Sequence, residues 1–399
     1  MKYKYVDIFT GCGGLSLGFY NAGWKGLFAI EKNADAFKTL EYNLITKKQH
    51  FVWVDWLEKR NHDINKVLID KEQELKDLSE KILLVVGGPP CQGFSMAGQR
   101  KKNDIRNKLV NSYIKFVKIV KPKYLFFENV YGFTIGFTDK NNEKSKPTSA
   151  CIVEQLKSIG YNIDYEILDL SEYGIPQKRK RFILLGSLEN DPKQFFQILK
   201  NQRQDFFEKK GLSCNASVKD AIGDLLYENG QIPCPDSNGF FSGLYKPALS
   251  KYQKYMRSGL EQENYPDSHR FAKHRYETIK LFETMQQECE HGKRLSTKNT
   301  NLKGFKRRGI TILLADKPCN TITSHPDDYL HYSEPRILTV RECARVQSFP
   351  DWYEFKGKYT TGGALRKYDV PRYTQVGNAI PPLFAEQVGL ALRKFIGGD

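Results

Sequence analysis

The sequence predicts an α/β protein built on a doubly wound, mostly parallel sheet, with a second, smaller domain later in the chain. Short apolar runs alternate with helical patterns through the first half of the 399 residues, and this is the rhythm of βαβ units. A glycine-rich stretch, Gly11 to Gly14, follows the first apolar run, as in a tight turn from a strand into a helix. After about Ser187 the alternation stops, which predicts the second domain.

The elements follow in order from the apolar runs and their boundaries. Short apolar runs rich in β-branched residues predict strands, and apolar residues at helical spacing predict helices. The predicted strands are YVDIF (5–9), GLFAIE (26–31), a third that ends at Asp55, KILLVV (81–86), YLFFEN (124–129), YEILDL (165–170) and RFILLG (181–186). The predicted helices are one from about Leu15, one at about 34–42, a solvated one on the rim within 57–81, and the amphipathic PPLFAEQVGLALRKFI (381–396). LTVRECARVQSF (338–349) also returns to a regular pattern.

The composition predicts a polyanionic partner. The chain has 62 Lys and Arg against 46 Asp and Glu, a formal net charge of +16, and nucleic acid is the commonest polyanion for a soluble basic protein. The eight cysteines are scattered, without a C-x-x-C pair or zinc spacing, so we expect neither disulfides nor a metal site. The sequence has no signal-like start and no apolar run of membrane-spanning length. We therefore expect a reduced, cytoplasmic protein that binds nucleic acid.

The stretch DIFTGCGGLSLGF (7–19) has the properties of a cofactor loop. Its glycines let the backbone approach a ligand, and the helix behind them offers free N–H groups. Glycine turns also occur for packing alone, but Glu31 ends the next predicted strand, where an acid accepts hydrogen bonds from ribose hydroxyls. Asp55, before Trp56, could hold an adenine amino group, although a surface acid is the better interpretation of Asp55 alone.

The stretch GGPPCQGFS (87–95) fixes the backbone firmly around one thiol. Two prolines lock φ, and the apolar run before them places Cys91 after the end of a central strand. Glu128 and Arg181 lie at or near the ends of other predicted strands, and such ends converge on one cleft in an open sheet. A thiol, a carboxyl and a guanidinium together suit nucleophilic attack on a flat, protonatable ring. A buried structural cysteine explains the first stretch equally well by itself, and the run QKRKR (177–181) is also typical of a solvated face.

Six short motifs occur in order along the chain. They are DIFTGCGG (7–14), PPCQGFS (89–95), ENV (128–130), QKRKR (177–181), RECARVQSFP (341–350) and QVGNAIPP (375–382). In this order they resemble the DNA cytosine C5-methyltransferases of the bacterial restriction–modification type. The resemblance implies a Rossmann-like methyltransferase fold and methylation of C5 of a flipped-out cytosine in duplex DNA. It also implies S-adenosylmethionine as methyl donor, with S-adenosylhomocysteine as product.

The same resemblance implies a division of the chain and a set of partners. Residues 1–189 would form the catalytic and cofactor-binding domain, residues 190–325 the target-recognition domain, and residues 326–399 a segment that returns to the first domain. The implied partner is duplex DNA, with a cognate restriction endonuclease acting on the same site as a further candidate. We expect a monomer.

The resemblance also gives individual residues their roles. Cys91 would be the nucleophile, Glu128 would engage N3 and N4 of cytosine, and Arg181 would pair with its O2. Arg179 joins this catalytic set by holding the flipped strand. The implied cofactor-binding residues are Phe9, Gly11, Gly13, Gly14, Glu31, Asp55, Trp56, Pro89, Leu109, Asn378 and Ile380. The implied DNA contacts are Gln92, Ser95, Gln177, Arg307 and Arg308. The sequence departs from the family at Lys32, where an aromatic residue often stands, and at Asp169, where an asparagine is common.

Three other functions fit parts of the pattern. A tRNA cytosine methyltransferase belongs to one branch of the same family, but Gly93 and the following FSMAG resemble the DNA branch. A non-catalytic DNA-binding relative has no need to retain Cys91, Glu128 and Arg181 together. An oxidoreductase with a Rossmann fold has the glycine turn and the acid, but it leaves PPCQ, ENV and QKRKR unexplained.

Overall fold

The computed structural model describes residues 3–90, 109–136, 145–260, 265–300, 302, 305, 309–361 and 369–397. The chain divides into two compact units. Unit 1 comprises Met1–Asp169, Lys180–Arg203 and Ala385–Asp399, and unit 2 comprises Leu170–Arg179 and Gln204–Phe384. The division predicted from the sequence, with boundaries after residues 189 and 325, stays a prediction.

Unit 1 is built around a six-stranded sheet. Its strands are β1 (Lys4–Ile8), β2 (Lys25–Ile30), β3 (Leu84–Gly87), β4 (Tyr124–Val130), β5 (Asn162–Asp169) and β7 (Lys180–Ser187). They lie in the order β2-β1-β3-β4-β7-β5. β1, β2, β3 and β4 run parallel to one another, whereas β7 runs antiparallel to both β4 and β5. The predicted α/β fold with a mostly parallel sheet is therefore confirmed.

The reversal of β7 follows from the short connection that precedes it. Only residues 170–179 separate β7 from β5, and a parallel neighbour needs a crossover of a dozen or more residues. Arg181 pairs in register with Val130, near the carboxyl end of β4. The amino end of β7 therefore lies at the same sheet edge as the carboxyl ends of the parallel strands.

Helices cover the sheet of unit 1. They are α1 (Gly14–Asn21), α2 (Ala34–Leu40), which continues as a π-helix (Glu41–Lys47), α3 (Ile64–Asp70), α4 (Glu72–Asp77), α5 (Leu109–Val120), α6 (Thr148–Ser158), α7 (Lys193–Asn201) and α14 (Pro382–Phe395). The predicted C-terminal helix is thus present, and its residues from 385 onward belong to unit 1. A Cβ on Gly18 of α1 would lie 2.3 Å from the Ala385 Cβ. Only glycine at this position lets α1 and α14 approach so closely.

Two local predictions for unit 1 were wrong. No strand ends at Asp55, because Phe51 forms only an isolated bridge with Gly26 and Trp53 takes a left-handed φ of 60°. A residue in that conformation cannot continue an extended ladder. The rim segment 57–81 forms two helices and not one, since Lys71 leaves helical geometry between α3 and α4 at φ −125°.

Unit 2 consists of short strands and helices. They are β6 (Gln177–Lys178), α8 (Arg203–Lys210), α9 (Val218–Ile222), β8 (Gln231–Pro233), β9 (Phe241–Gly243), α10 (Lys251–Met256), α11 (Tyr276–Glu288), β10 (Arg294–Leu295), β11 (Ile310–Ile312), β12 (Cys319–Asn320), β13 (Tyr329–Leu330), α12 (Val340–Val346) and α13 (Arg372–Asn378). One apolar cluster packs α11 against the sheet β10-β11-β13. The other pairs are β8 with β9 and β12 with β6.

A buried ionic network surrounds α12. The Arg345 guanidinium contacts Asp224 Oδ1 and Asp351 Oδ2, each at 2.6 Å, and all three side chains are at most 2% exposed. Thr339 caps the helix and accepts a hydrogen bond from the Glu342 N–H at 3.2 Å. An unpaired charge in a buried position strongly destabilises a fold. The loss of any one of these charged side chains would therefore leave its partners buried without full compensation.

Within the described part of the chain, no helix is both long and apolar enough to cross a membrane.

Candidate active site

The glycine turn after β1 is held in left-handed conformations. Phe9, Gly11 and Gly13 have φ angles of 64°, 60° and 92°, a region that suits glycine and is uncommon for phenylalanine. Among the described residues, apart from Gly11 itself and its two chain neighbours, no atom lies within 4 Å of the position of a Cβ at Gly11, so the space beside this residue is open. Gly14, which is buried, begins α1 directly after the turn. The turn therefore has the shape of a loop that receives a ligand against its backbone.

Glu31 lies immediately after β2 and contacts this turn. Its Oε2 accepts a hydrogen bond from the Gly11 N–H at 2.9 Å, and its Oε1 accepts one from the Asn33 N–H at 2.7 Å. Burial raises the pKa of Glu31 above its ordinary value, while the two backbone donors act in the opposite direction. A carboxylate oxygen has two acceptor positions, so both oxygens can accept a hydroxyl in addition.

Asp7 is a buried acid that the sequence reasoning missed. It is 1% exposed, and its Oδ2 accepts a hydrogen bond from Ser16 Oγ at 2.5 Å. Among the described residues its Oδ1 has no hydrogen-bond partner, and burial raises the pKa of Asp7 to about 7. Asp7 ties β1 to the first turn of α1 around the glycine turn. The available signal was the charged residue inside the apolar run YVDIF.

The other predicted cofactor residues of unit 1 have mixed environments. Asp55 is exposed, and Trp56 is half-buried with its ring 5.3 Å from the ring of Phe28 in an edge-to-face arrangement. Leu109, the first residue of α5, is also half-buried. The predicted ribose-binding residue Glu31 thus lies directly after β2, whereas the predicted adenine contacts Asp55 and Trp56 lie between the π-helix and α3.

The structure pairs two of the predicted catalytic residues. Arg181 Nε lies 2.7 Å from Glu128 Oε1, and their side chains are 8% and 13% exposed. Next to this pair, the buried Asn129 donates a hydrogen bond from Nδ2 to the Pro89 carbonyl oxygen at 3.2 Å. Asn129 was quoted in ENV but given no role. It attaches the end of β4 to the segment that follows β3.

Some predicted site residues lie outside the described part of the chain. These are Cys91, Gln92, Ser95, Arg307 and Arg308.

Unit 2 contains the remaining predicted residues. Asn378 is exposed at the end of α13, and Ile380 is 9% exposed just after it. Gln177 and Arg179 are buried and bonded to protein groups. The DNA-contacting roles predicted for Gln177 and Arg179 stay predictions.

A family model decides the identity of this fold and site. The model of the C-5 cytosine-specific DNA methylases matches residues 3–394. The chain belongs to this family. The predicted family is therefore confirmed, and the protein is a DNA (cytosine-5)-methyltransferase.

Similar proteins agree with this assignment. The type II methyltransferase M.DdeI of Desulfomicrobium norvegicum is 32% identical over 96% of this chain and 86% of its own length. The type II methyltransferase M.MthTI of Methanothermobacter thermautotrophicus is 30% identical over 100% of this chain and 99% of its own. These type II relatives imply a DNA substrate and a restriction–modification context for this methylase. A methyltransferase family also implies S-adenosylmethionine as the methyl donor.

Solved structures share the fold. A structure described as a DNA modification methyltransferase encoded within an E. coli prophage matches with a TM-score of 0.66 at 22% identity, over 99% of both chains. The S. pombe Dnmt2 methyltransferase matches with a TM-score of 0.52 at 16% identity, also over 99% of both chains. At these identities the likeness concerns the fold of the methylase alone.

Proposed function

We propose that this methylase transfers a methyl group to C5 of a cytosine in duplex DNA through a transient bond between Cys91 and C6. The observation that carries the proposal is the buried pair of Glu128 and Arg181, with 2.7 Å between Oε1 and Nε. The pair lies at the sheet edge where Asn129 holds Pro89, two residues before Cys91 in the sequence. A carboxyl, a guanidinium and the segment leading to a thiol meet at one edge.

C5 of cytosine is a poor nucleophile, so the reaction requires a nucleophile of the enzyme that activates the ring. The Cys91 thiolate adds to C6, and the electrons of the C5–C6 double bond become available at C5 while N3 is protonated. C5 then forms a bond to the methyl carbon as the donor sulfur takes the electrons of its own S–CH₃ bond. A base removes the C5 proton, the electrons of that C–H bond restore the C5–C6 double bond as the thiolate leaves C6, and N3 gives back the proton that it received.

The two paired side chains would hold the ring in place for this addition. We propose that Glu128 engages N3 and N4, which stabilises the protonated ring. Arg181 lies against Glu128 with Nε and donates from Nη1 to its neighbour's backbone carbonyl at 2.9 Å, so its guanidinium is oriented before any base arrives. We propose that it binds O2 of the cytosine. Such preorganised charge is worth most where water is excluded.

S-adenosylmethionine would supply the electrophilic methyl group. The residues around the glycine turn fit such a ligand, because the space beside Gly11 is open and Glu31 retains acceptor capacity for ribose hydroxyls. The unpartnered Oδ1 of Asp7 is a further polar group beside the turn. We propose Asp55 and Trp56 as the adenine contacts, and Asn378 and Ile380 as further contacts of the methyl donor.

The target base must leave the duplex for this chemistry. A stacked and paired cytosine cannot present C6 to a thiol and C5 to a donor, so we propose that the enzyme flips it out. The formal net charge of +16 supports binding to a phosphate backbone. We propose that residues 190–325, which include the basic FKRRG at 305–309, select the sequence around the target.

A covalent trap tests the proposal. Duplex DNA made by PCR with 5-fluorocytosine at every cytosine position contains the target whatever its sequence. With S-adenosylmethionine present, the reaction should stop after methyl transfer, since fluorine cannot leave as a proton does. The result should be a protein–DNA band on a denaturing gel, mapped to Cys91 by peptide analysis.

Controls separate the alternatives. Cys91→Ser should give no band, while Cys151→Ser, which alters a half-buried cysteine of α6, should give the wild-type band. Methylation without any thiol adduct would contradict the mechanism. An adduct with fluorocytosine-containing tRNA but not with duplex DNA would favour the RNA-modifying alternative.

A further inference from the structure

Three buried polar side chains of unit 2 form one hydrogen-bonded group, which we call the polar clamp: Gln177, Arg179 and Gln347. Gln177 and Gln347 are 0% exposed and Arg179 is 2% exposed. Gln177 Nε2 donates to Gln347 Oε1 at 2.6 Å across 170 positions of sequence. The fold, and not local sequence, brings these groups together.

The polar clamp binds the main chain at the end of α13. Gln347 Nε2 donates to the carbonyl oxygens of Val376 at 2.7 Å and Ala379 at 3.3 Å. Arg179 Nη2 donates to those of Gly377 at 2.9 Å and Ala379 at 3.2 Å. Carbonyls at a helix end have no partner within the helix, so these side chains supply the partners. The backbone that leaves α13 is therefore fixed from its buried side.

The polar clamp also holds a second segment against the same place. Gln177 Oε1 accepts a hydrogen bond from the Ile322 N–H at 3.0 Å, and Arg179 Nη1 donates to the Ile322 carbonyl at 3.2 Å. A Cβ on Gly377 would lie 2.3 Å from the Thr323 carbonyl oxygen. The segment therefore lies directly on the end of α13 and blocks its movement in that direction.

Burial along QKRKR separates two kinds of residue. Lys178 and Lys180 are exposed, whereas the residues at 177, 179 and 181 are buried. This alternation is that of an extended strand with one face turned inward. Lys178 and Lys180 are thus the two basic residues of this run that are exposed to solvent, whereas the side chains of Gln177 and Arg179 form hydrogen bonds in the interior.

The turn that the polar clamp holds carries a proposed ligand contact on its outer side. Asn378 is exposed, while the carbonyls on both sides of it are bound by Gln347 and Arg179. We infer that Gln177, Arg179 and Gln347 are positioning residues that hold residues 376–380 in the conformation that binds the methyl donor. This inference rests on the cofactor role proposed for Asn378 and Ile380.

The test compares two identical substitutions in unit 2. Gln347→Met removes the hydrogen bonds to the turn at nearly constant volume. Gln253→Met is the matched control, because Gln253 is 3% exposed, accepts from the Leu249 N–H at 2.8 Å and donates to the Lys219 carbonyl at 3.1 Å. Both variants lose buried hydrogen bonds, but these two bonds of Gln253 do not involve the turn. Calorimetry measures the Kd of S-adenosylmethionine, and steady-state assays measure KM for the donor and for plasmid DNA.

We expect Gln347→Met to raise the Kd and the KM of S-adenosylmethionine about tenfold. A change of this size is expected when one or more of the hydrogen bonds that hold the turn are lost. The KM for DNA should stay within about twofold, and Gln253→Met should leave the donor Kd at the wild-type value even where both variants lower Tm. Equal donor affinity in Gln347→Met and Gln253→Met would overturn the inference.

Two further variants keep the test decisive. Asn378→Ala should weaken binding of S-adenosylmethionine. If Asn378→Ala weakens this binding and Gln347→Met leaves it unchanged, the positioning role of the polar clamp is refuted, but the cofactor role of Asn378 is not. An unchanged Kd in Asn378→Ala refutes the cofactor role of the turn and the inference with it. Should Gln347→Met fail to fold, Arg179→Lys takes its place, since it retains the charge but not the fork that reaches two carbonyls. Wild-type donor affinity in Arg179→Lys would then overturn the inference.

Discussion

Removing the Glu31 carboxylate should weaken binding of S-adenosylmethionine. The side chain accepts hydrogen bonds from Gly11 and Asn33 at 2.9 and 2.7 Å and, as proposed, from ribose hydroxyls. A hydrogen bond to a charged group contributes about 1.5–3 kcal/mol, and an unpartnered backbone donor is costly as well. We expect Glu31→Ala to lose about 1–3 kcal/mol of binding free energy, or about 5- to 150-fold in Kd.

The pH dependence provides a second signature of Glu31. Burial raises the pKa of its carboxyl above the ordinary value, and ribose hydroxyls donate to the ionised form. Affinity should therefore be complete above this raised pKa and fall as pH falls through it. Glu31→Gln, which cannot ionise, should bind weakly and show no such fall over the same range.

Isothermal titration calorimetry against S-adenosylmethionine is the appropriate assay. Glu72→Ala is a suitable control, because Glu72 lies in the same unit and its half-exposed carboxylate forms a surface pair with Lys76. Such pairs contribute little, so this variant should bind like the wild type. A Kd within twofold of wild type for Glu31→Ala would refute the assignment of the ribose site.

Three further predictions concern stability and DNA binding. Arg345→Met leaves the buried Asp224 and Asp351 without this partner and should cost about 3–5 kcal/mol in urea unfolding; a loss below about 1 kcal/mol would contradict the network. Burial lowers the pKa of His331 to about 3, so stability should fall as pH drops from about 6.5 toward that value, and His331→Gln should reduce this slope by up to about 1.4 kcal/mol per pH unit. An unchanged slope would place the histidine outside the core. The logarithm of DNA affinity should fall linearly with that of salt concentration, by about 0.9 per neutralised phosphate; a flat line would argue against a phosphate-binding surface.

Much of unit 1 follows from the sequence, since most of its strands are strongly apolar runs. The direction of β7 does not, because RFILLG reads equally well as a parallel or an antiparallel strand. The shortness of the 170–179 link was the only available signal. The strand expected before Asp55 is absent for a different reason. The backbone at Trp53 is left-handed, a conformation that tryptophan rarely adopts and that no residue pattern predicts.

The sequence predicted the parts of the site whose chemistry follows from residue type. It was less informative about residues whose role depends on whether the fold buries them. Glu128 and Arg181 were expected at one cleft, and the structure pairs them; their chemical roles stay predictions. The basic character of QKRKR is typical of a solvated face, yet Arg179 lies in the interior. The direction in which such a side chain points depends on partners far away in the sequence, such as Gln347. Sequence spacing alone does not identify these partners.

The placement of α14 has a consequence for how the enzyme is made. Residues of this helix complete unit 1: Trp24 Nε1 donates to the Gly389 carbonyl at 2.9 Å, and the Phe395 ring lies 5.8 Å from that of Tyr124. During synthesis the strands of unit 1 leave the ribosome first, but the helix that covers them emerges only after all of unit 2. The early segment must therefore persist with apolar surface uncovered while the rest is translated, a state open to chaperones and to aggregation. A nascent chain released before α14 would lack part of the core of unit 1, so methylation would begin only with molecules translated through this helix.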